Sequence, residues 1–322
     1  MVKEKPTIQD AQKGSIAMMK RALKPRIREW RFSLRLMRKS PLAIMGIILV
    51  SFVIGIAIFA PVLAPPVSSE PMEMPIDNKV QLIKPPGADG HIMGTGSIGD
   101  DIFYGVIWGS RTSIVTSLYV VFISIIIGLV LGAFAGYRGG MIDEILMRIT
   151  DIFLSIPALI LCMAVCVVLS RGLDNIMLAL IIIWWPPYAR LIRGQVLSIK
   201  ENTYVEAARA VGAKPSRILF RHIVPNALSP IIVNATLDIG SVVLVAAGLS
   251  FIGFGVQPGY AEWGSMISDA ENFFTSTINW QGISYNPYWI WVFPAIFIFI
   301  FVMGFSLLGD GLRDVLDPRL RR

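Results

Sequence analysis

Few side chains in this chain could do chemistry, and their spacing argues against catalysis. His91 and His222 are its only histidines, and three long apolar runs separate them. They therefore fall on opposite faces of a membrane and can form neither a dyad nor a shared metal site. Cys162 and Cys166 are the only cysteines, one helical turn apart inside an apolar run. That spacing is not CxxC, so buried, reduced thiols are expected rather than a redox or metal motif. The sequence contains no G-x-x-x-x-G-K-[ST] phosphate loop, no HExxH and no GxSxG. No catalytic residue and no metal ligand is assigned, and the chain is not expected to be an enzyme. One acid, Asp238, lies well inside an apolar run. Charges at such depth are costly and face a bundle interior or a cavity. Asp238 is thus a candidate for a substrate pathway or subunit interface, or for a structural polar contact. Its neighbours Gly240 and Ser241 would let another helix pack closely.

The second chemical feature is a polar, basic stretch wedged between apolar runs, Tyr204-Val-Glu206-Ala207-Ala208-Arg209-Ala-Val-Gly212-Ala-Lys-Pro215. Val205 to Val211 are good helix formers, with Glu206 in the first turn, where an acid favours the positive end of the dipole. Gly212 can end that helix in the left-handed conformation of a C-terminal cap. Pro215 follows, and Ser216 to Ile223 can form a second short helix. Helix, glycine and helix make a compact knob able to fill a groove, and Ala207 and Ala208 permit close approach. An ordinary amphipathic loop is the plain alternative.

Long apolar elements must carry these residues. The chain is 54% hydrophobic and 16% charged, with mean hydropathy +0.64, too apolar for an ordinary soluble domain. Runs long enough for the roughly 20 residues that cross a bilayer predict six spans: 41–64, 112–137, 149–170, 174–194, 227–255 and 287–309. The fourth has the shortest uncharged part, and Pro186-Pro187 should kink it. Residues 1–39 carry twelve Lys/Arg, and 190–221 carry Arg190, Arg193, Lys200, Arg209, Lys214, Arg217 and Arg221. By contrast, 70–110 holds only Lys79 and Lys84 against six acids, and 256–286 holds Glu262, Asp269 and Glu271 with no base. The positive-inside rule therefore places both termini and the loop 195–226 in the cytoplasm. The net charge of +7 fits contact with anionic lipid, not nucleic acid. The first run reads as a retained anchor, not a cleaved signal. Trp30, Leu34 and Met37, spaced among arginines, predict a helix lying on the inner membrane face, with a solvated basic tail as the alternative. Residues 65–90 are Pro-rich and predict an irregular outer loop. Trp184, Trp185, Tyr188, Trp280, Tyr285, Tyr288, Trp289 and Trp291 predict an aromatic belt at the membrane edges, with a stacking platform for sugar or peptide as the alternative for a few of them.

Continued to His222-Ile-Val-Pro225-Asn226, the basic loop resembles the EAA loop of binding-protein-dependent ABC importer permeases. The likeness extends to His91-Ile-Met-Gly94-Thr95-Gly-Ser-Ile-Gly99-Asp-Asp101 with Gly109-Ser-Arg111-Thr-Ser113. It continues through Leu249-Ser250-Phe251-Ile-Gly253-Phe-Gly255 and Gly309-Asp310-Gly-Leu312-Arg313-Asp314-Val-Leu316-Asp317-Pro318. These segments are similar to the dipeptide/oligopeptide/nickel branch, and to the second of its two permease types. Gly96 and Asp100 stand where that branch has Asp and Arg, and Ala246 where it has Glu.

The resemblance implies an all-α polytopic membrane protein with six transmembrane helices and the type I ABC importer permease fold. Its parts would be a basic segment 1–40, a first span with outer loop 41–110, a five-helix core 111–309 containing the coupling loop 195–226, and a tail 310–322. Glu206, Ala207, Ala208, Arg209, Gly212 and Pro225 would couple to ATPase subunits. Implied partners are a second permease, two ATP-binding subunits that hold ATP and Mg, and an extracytoplasmic substrate-binding protein. The chain itself would hold no cofactor. Peptides are the expected cargo, with oligosaccharides or nickel as alternatives. A secondary transporter or channel is the rival class; it would need no EAA loop and would carry more intramembrane charge or paired broken helices.

Overall fold

The computed structural model describes residues 37–38, 40–77 and 82–316. The helix expected around Trp30 and Leu34, Lys79, and Asp317-Pro318 lie outside the described residues. Five helices are long and apolar enough to span a membrane unbroken: α1 (Pro41–Leu63), α2 (Ile102–Arg138), α5 (Leu173–Lys200), α7 (Pro215–Phe254) and α9 (Trp289–Leu316). A bent pair, α3 (Gly140–Ser155) and α4 (Ala158–Leu169), meets at 89° and passes the same test of length and apolarity when taken together, which makes six crossings if it is one broken span. Short elements complete the fold: α6 (Thr203–Ala210), α8 (Trp263–Asp269) and a hairpin of β1 (Ile278–Trp280) and β2 (Ile283–Tyr285). The hairpin is the one described departure from an all-α chain. It turns on Gln281 and Gly282, both at positive φ (52° and 83°), as the tight turns that suit the strand twist require.

Several sequence expectations are corrected. The third span, expected at 149–170 as one helix, breaks at Ile156-Pro157. Pro157 offers no N–H, and the residue before a proline is pushed to extended geometry; Ile156 has φ −91° and ψ 132°. The fourth span stays helical through Pro186 and Pro187. The fifth starts at Pro215 rather than 227, so the second half of the knob is the first part of a 40-residue helix. Two π turns, Leu219–Ile223 and Ser250–Phe254, interrupt it. The first directly precedes Pro225, whose missing N–H would otherwise leave a carbonyl of a regular helix unpaired.

Close packing between helices depends on glycines. Gly128, Gly132 and Gly136 on α2 face α5. A Cβ there would meet Tyr188 Cβ at 2.5 Å, the Ala189 carbonyl oxygen, and the Arg193 carbonyl oxygen at 2.9 Å, respectively. Gly46 on α1 and Gly309 on α9 play the same part against Leu308 and Leu237. Small residues at such seams let backbones approach where no hydrophobic force drives association. Gly240 packs on Val302 of α9, as its size predicts, whereas Ser241 is exposed. Ile48, Ile58 and Phe59 of α1 are 60–62% exposed, an apolar surface that suits lipid.

At one end of the bundle the segment 64–101 and the stretch 255–286 form a cap on α2 and α9. Buried indoles pin it: Trp108 donates to Ala64 O (2.9 Å), Trp263 to Val106 O (3.1 Å) and Trp289 to Thr95 O (3.2 Å). Trp289 and Tyr188 are each 1% exposed, so neither belongs to the expected aromatic belt. The first is anchored in the cap, and the second is wedged against Gly128.

Candidate coupling and pathway sites

At the opposite end of the bundle, α6 and the first turns of α7 form the knob. Val205, fully buried, packs with Ile218, Leu219 and Ile223 in the core shared by α2, α5 and α7. This apolar underside fixes α6 on the bundle. Its other face presents Glu206, Ala207, Arg209 and Ala210, all exposed, with Ala208 half-buried. Gly212 has φ +78°. Its N–H donates to Arg209 O (3.0 Å), and the Ala213 N–H donates to Ala208 O (3.1 Å). Together these form the double cap that glycine favours at a helix end. Val211, at the tip, is 84% exposed.

Pro225 is exposed near the base of α7, where it breaks the helical ladder. Its neighbour Asn226 adds a side-chain tie: its Nδ2 donates to His222 O (2.6 Å) and to Tyr204 Oη (3.2 Å). One amide thus ties α6 to α7. The sequence reading quoted Asn226 but assigned it no role. Its placement one residue after a proline was the available signal.

Behind the knob, α5 is tied to α3 and α2. Arg193 makes a two-pronged ion pair with Asp143 (Nε–Oδ1 2.5 Å, NH2–Oδ2 2.7 Å), and Arg190 pairs with Asp151. Lys200 Nζ donates to Gly136 O (3.2 Å). The sequence reading counted these cations only as an orientation signal. Their partners lie eight residues apart on α3, a spacing that puts both acids on one helix face.

Asp238 sits between those two helices. It is half-buried on α7 and faces Trp184 and Tyr188 of α5. The structure does not bring it near the coupling residues, which lie toward the end of the bundle. Cys162 and Cys166 are free and buried on α4.

Sequence reasoning missed a polar network in the cap. Lys84, 1% exposed, donates to Asp77 (2.6 Å) and Asp89 (2.8 Å). His91 Nδ1 lies 2.7 Å from Asp101, which also caps α2 by accepting from the Tyr104 N–H (2.9 Å). The two carboxylates hold the Lys84 ammonium above its ordinary pKa. Asp100 folds over Gly96, where a side chain would collide with its carboxyl. Two of the three departures from the resembled pattern, Gly96 and Asp100, thus lie against each other. Burial raises the pKa of Asp100. Asp269 is pushed up to about 6 by burial, and then by the nearby acids Asp100 and Glu262.

The profile of the binding-protein-dependent transport system inner membrane component matches residues 128–322, and that of the N-terminal membrane domain of oligopeptide transport permease C matches 29–85. The chain belongs to that transport family. The permease is 40% identical to a dipeptide transport system permease protein of Alkalihalophilus pseudofirmus over 91% of this chain and 90% of that one. It is 40% identical to an oligopeptide transport system permease protein of Bacillus subtilis, with the same coverage of both chains. Against a probable D,D-dipeptide transport system permease protein of Escherichia coli it is 41% identical over 88% and 90%. In fold it matches the MetNI methionine ABC transporter in an inward-facing form. The TM-score is 0.53 at 23% identity, covering 67% of the permease and 98% of that chain. The type I ABC importer permease fold is thus present, with its third crossing bent.

Proposed function

We propose that this permease forms half of the translocation pore of an ATP-driven peptide importer, and that the knob at 203–223 docks on an ATP-binding subunit. The observation that carries the coupling role is the knob itself: a double-capped helix with an exposed small-residue face, seated on the core and tied to α7 by Asn226. Peptide cargo is supported by the names of relatives that align along about nine tenths of the chain. Glu206, Ala207, Ala208, Arg209 and Gly212 form the docking surface, and Pro225 sets the entry of α7.

The partners are a second, related permease, two ATP-binding subunits that hold ATP and Mg, and an extracytoplasmic binding protein. Hydrolysis belongs to those subunits, because this sequence has no phosphate loop. In the cell membrane both termini and the knob face the cytoplasm, and the cap faces outward. ATP closes the paired subunits, the knob moves with them, and the ion-paired α3–α5 unit swings with α7. Such a ligand drives the cycle only through its preference for one global state.

The test is reconstitution with the co-encoded partners. ATP-dependent uptake of a labelled di- or tripeptide is expected. Uptake of nickel or an oligosaccharide alone would overturn the cargo, and uptake by this chain without ATP would overturn the class.

A further inference from the structure

The α5–α7 contact at mid-bundle contains a carboxyl with no cation to match it. Asp238 makes no ion pair with any described Lys, Arg or His, and the nearby α5 cations Arg190 and Arg193 are committed to Asp151 and Asp143. What faces Asp238 is the polar edge of two aromatic side chains, the Tyr188 hydroxyl and the Trp184 indole N–H. Tyr188 Oη is buried and makes no protein hydrogen bond of normal geometry. Gly128 of α2 abuts Tyr188, and one turn along the same face Ser124 holds a second buried hydroxyl without a partner. Two turns further toward the cap, Thr116 holds a third. Buried polar atoms of this kind call for water or a ligand. Two such hydroxyls thus lie on α2 between the cap and Gly128, on either side of the buried Val120.

Its chemistry selects one class of ligand. A lone carboxylate is too few donors for a metal ion, and among the described residues no cluster of three or more metal-ligating side chains occurs. An ammonium group carries three donors. It can satisfy a carboxylate and a neighbouring hydroxyl oxygen together. Asp238 and Trp184 are both half-buried, so the pair has an open side. That side cannot face lipid without leaving a carboxyl in hydrocarbon, so it faces protein or water.

We propose that Asp238, Trp184 and Tyr188 form a binding site for a primary ammonium group, namely the amino terminus of the peptide in transit. The proposal rests on the peptide-import reading for the identity of that ammonium, but its geometry does not. A cargo whose ammonium is blocked loses this contact, so the site adds discrimination within the membrane beyond that of the binding protein.

The first test uses the wild-type importer complex. N,N′-dicyclohexylcarbodiimide modifies carboxyl groups in apolar surroundings, and peptide mass spectrometry locates the adduct. Asp238 is expected to be labelled, and alanyl-alanine amide is expected to protect it. N-acetyl-alanyl-alanine amide, which lacks the ammonium, should not. Absence of labelling, protection by both, or protection by neither overturns the site.

The second test is uptake of alanyl-alanine into proteoliposomes at matched complex yield. Asp238→Asn should reduce it about tenfold, the scale of a lost charge-assisted hydrogen bond. Asp238→Glu should recover part of the loss. Normal uptake by Asp238→Asn would sink the proposal. If the wild-type complex took up no peptide while ammonium-dependent protection persisted, the cargo reading would fail and the site would stand.

Discussion

Gly212 offers a graded test of the knob. Its φ of +78° is one that side-chain-bearing residues rarely adopt, yet nothing lies within 4 Å of where a Cβ would sit. Gly212→Ala therefore costs backbone strain alone, about 1–2 kcal/mol. That lowers the population of the capped knob by about 5- to 30-fold. Gly212→Pro does more. Proline fixes φ near −65°, so the left-handed cap cannot form. The N–H that donates to Arg209 O is gone, and the turn of Ala213 back to Ala208 is lost with it. Two hydrogen bonds of about 1 kcal/mol each, added to the strain, give about 3–4 kcal/mol, or two to three orders of magnitude in population. Neither change touches the helix seams, so membrane insertion and the yield of the permease itself should hold. The assay is ATP hydrolysis by the reconstituted complex, stimulated by loaded binding protein, alongside uptake. Stimulation should fall in the order wild type, Ala, Pro, with Pro near the unstimulated rate. Wild-type stimulation in Gly212→Pro would refute the reasoning, since no capped knob could then be required.

Three further outcomes follow from the packing and the cap. Gly132→Leu should lower complex yield by forcing α2 off the Ala189 carbonyl, an overpacking cost of about 1–3 kcal/mol or more; Gly55→Leu, at a position with open space, should not. Asp269, raised from 3.8 to about 6, binds a proton more tightly in the folded cap, so the cap loses stability as pH rises through that window. Melting temperature should fall across it in wild type and change less in Asp269→Asn. Lys84→Met removes the cation shared by Asp77 and Asp89 and should speed proteolysis within 70–100, with no change in the membrane-embedded fragments.

The spans were legible because each is a long apolar run, and Gly212 because helix formers lead into it. Less was legible where geometry depends on partners far along the chain. The break at Pro157 was written in its own residue pair. The preceding α3, however, alternates Asp143 and Asp151 with apolar residues, so its first half fell below the hydropathy of a span. The cap was read as irregular loop: Lys84, Asp77, Asp89 and His91 follow no period, and only the fold brings them together. Asp238 was visible as an anomaly of depth. Its aromatic neighbours on α5 were visible only as candidates for a membrane-edge belt.

The central claim is that the knob meets an ATP-binding subunit, and crosslinking tests it most directly. A photo-crosslinking residue placed at Val211, the exposed tip, in an active and assembled complex should capture an ATP-binding subunit. The same residue at Ile92, 65% exposed in the cap, should not. Capture of that subunit from Ile92 and not from Val211 would contradict the account.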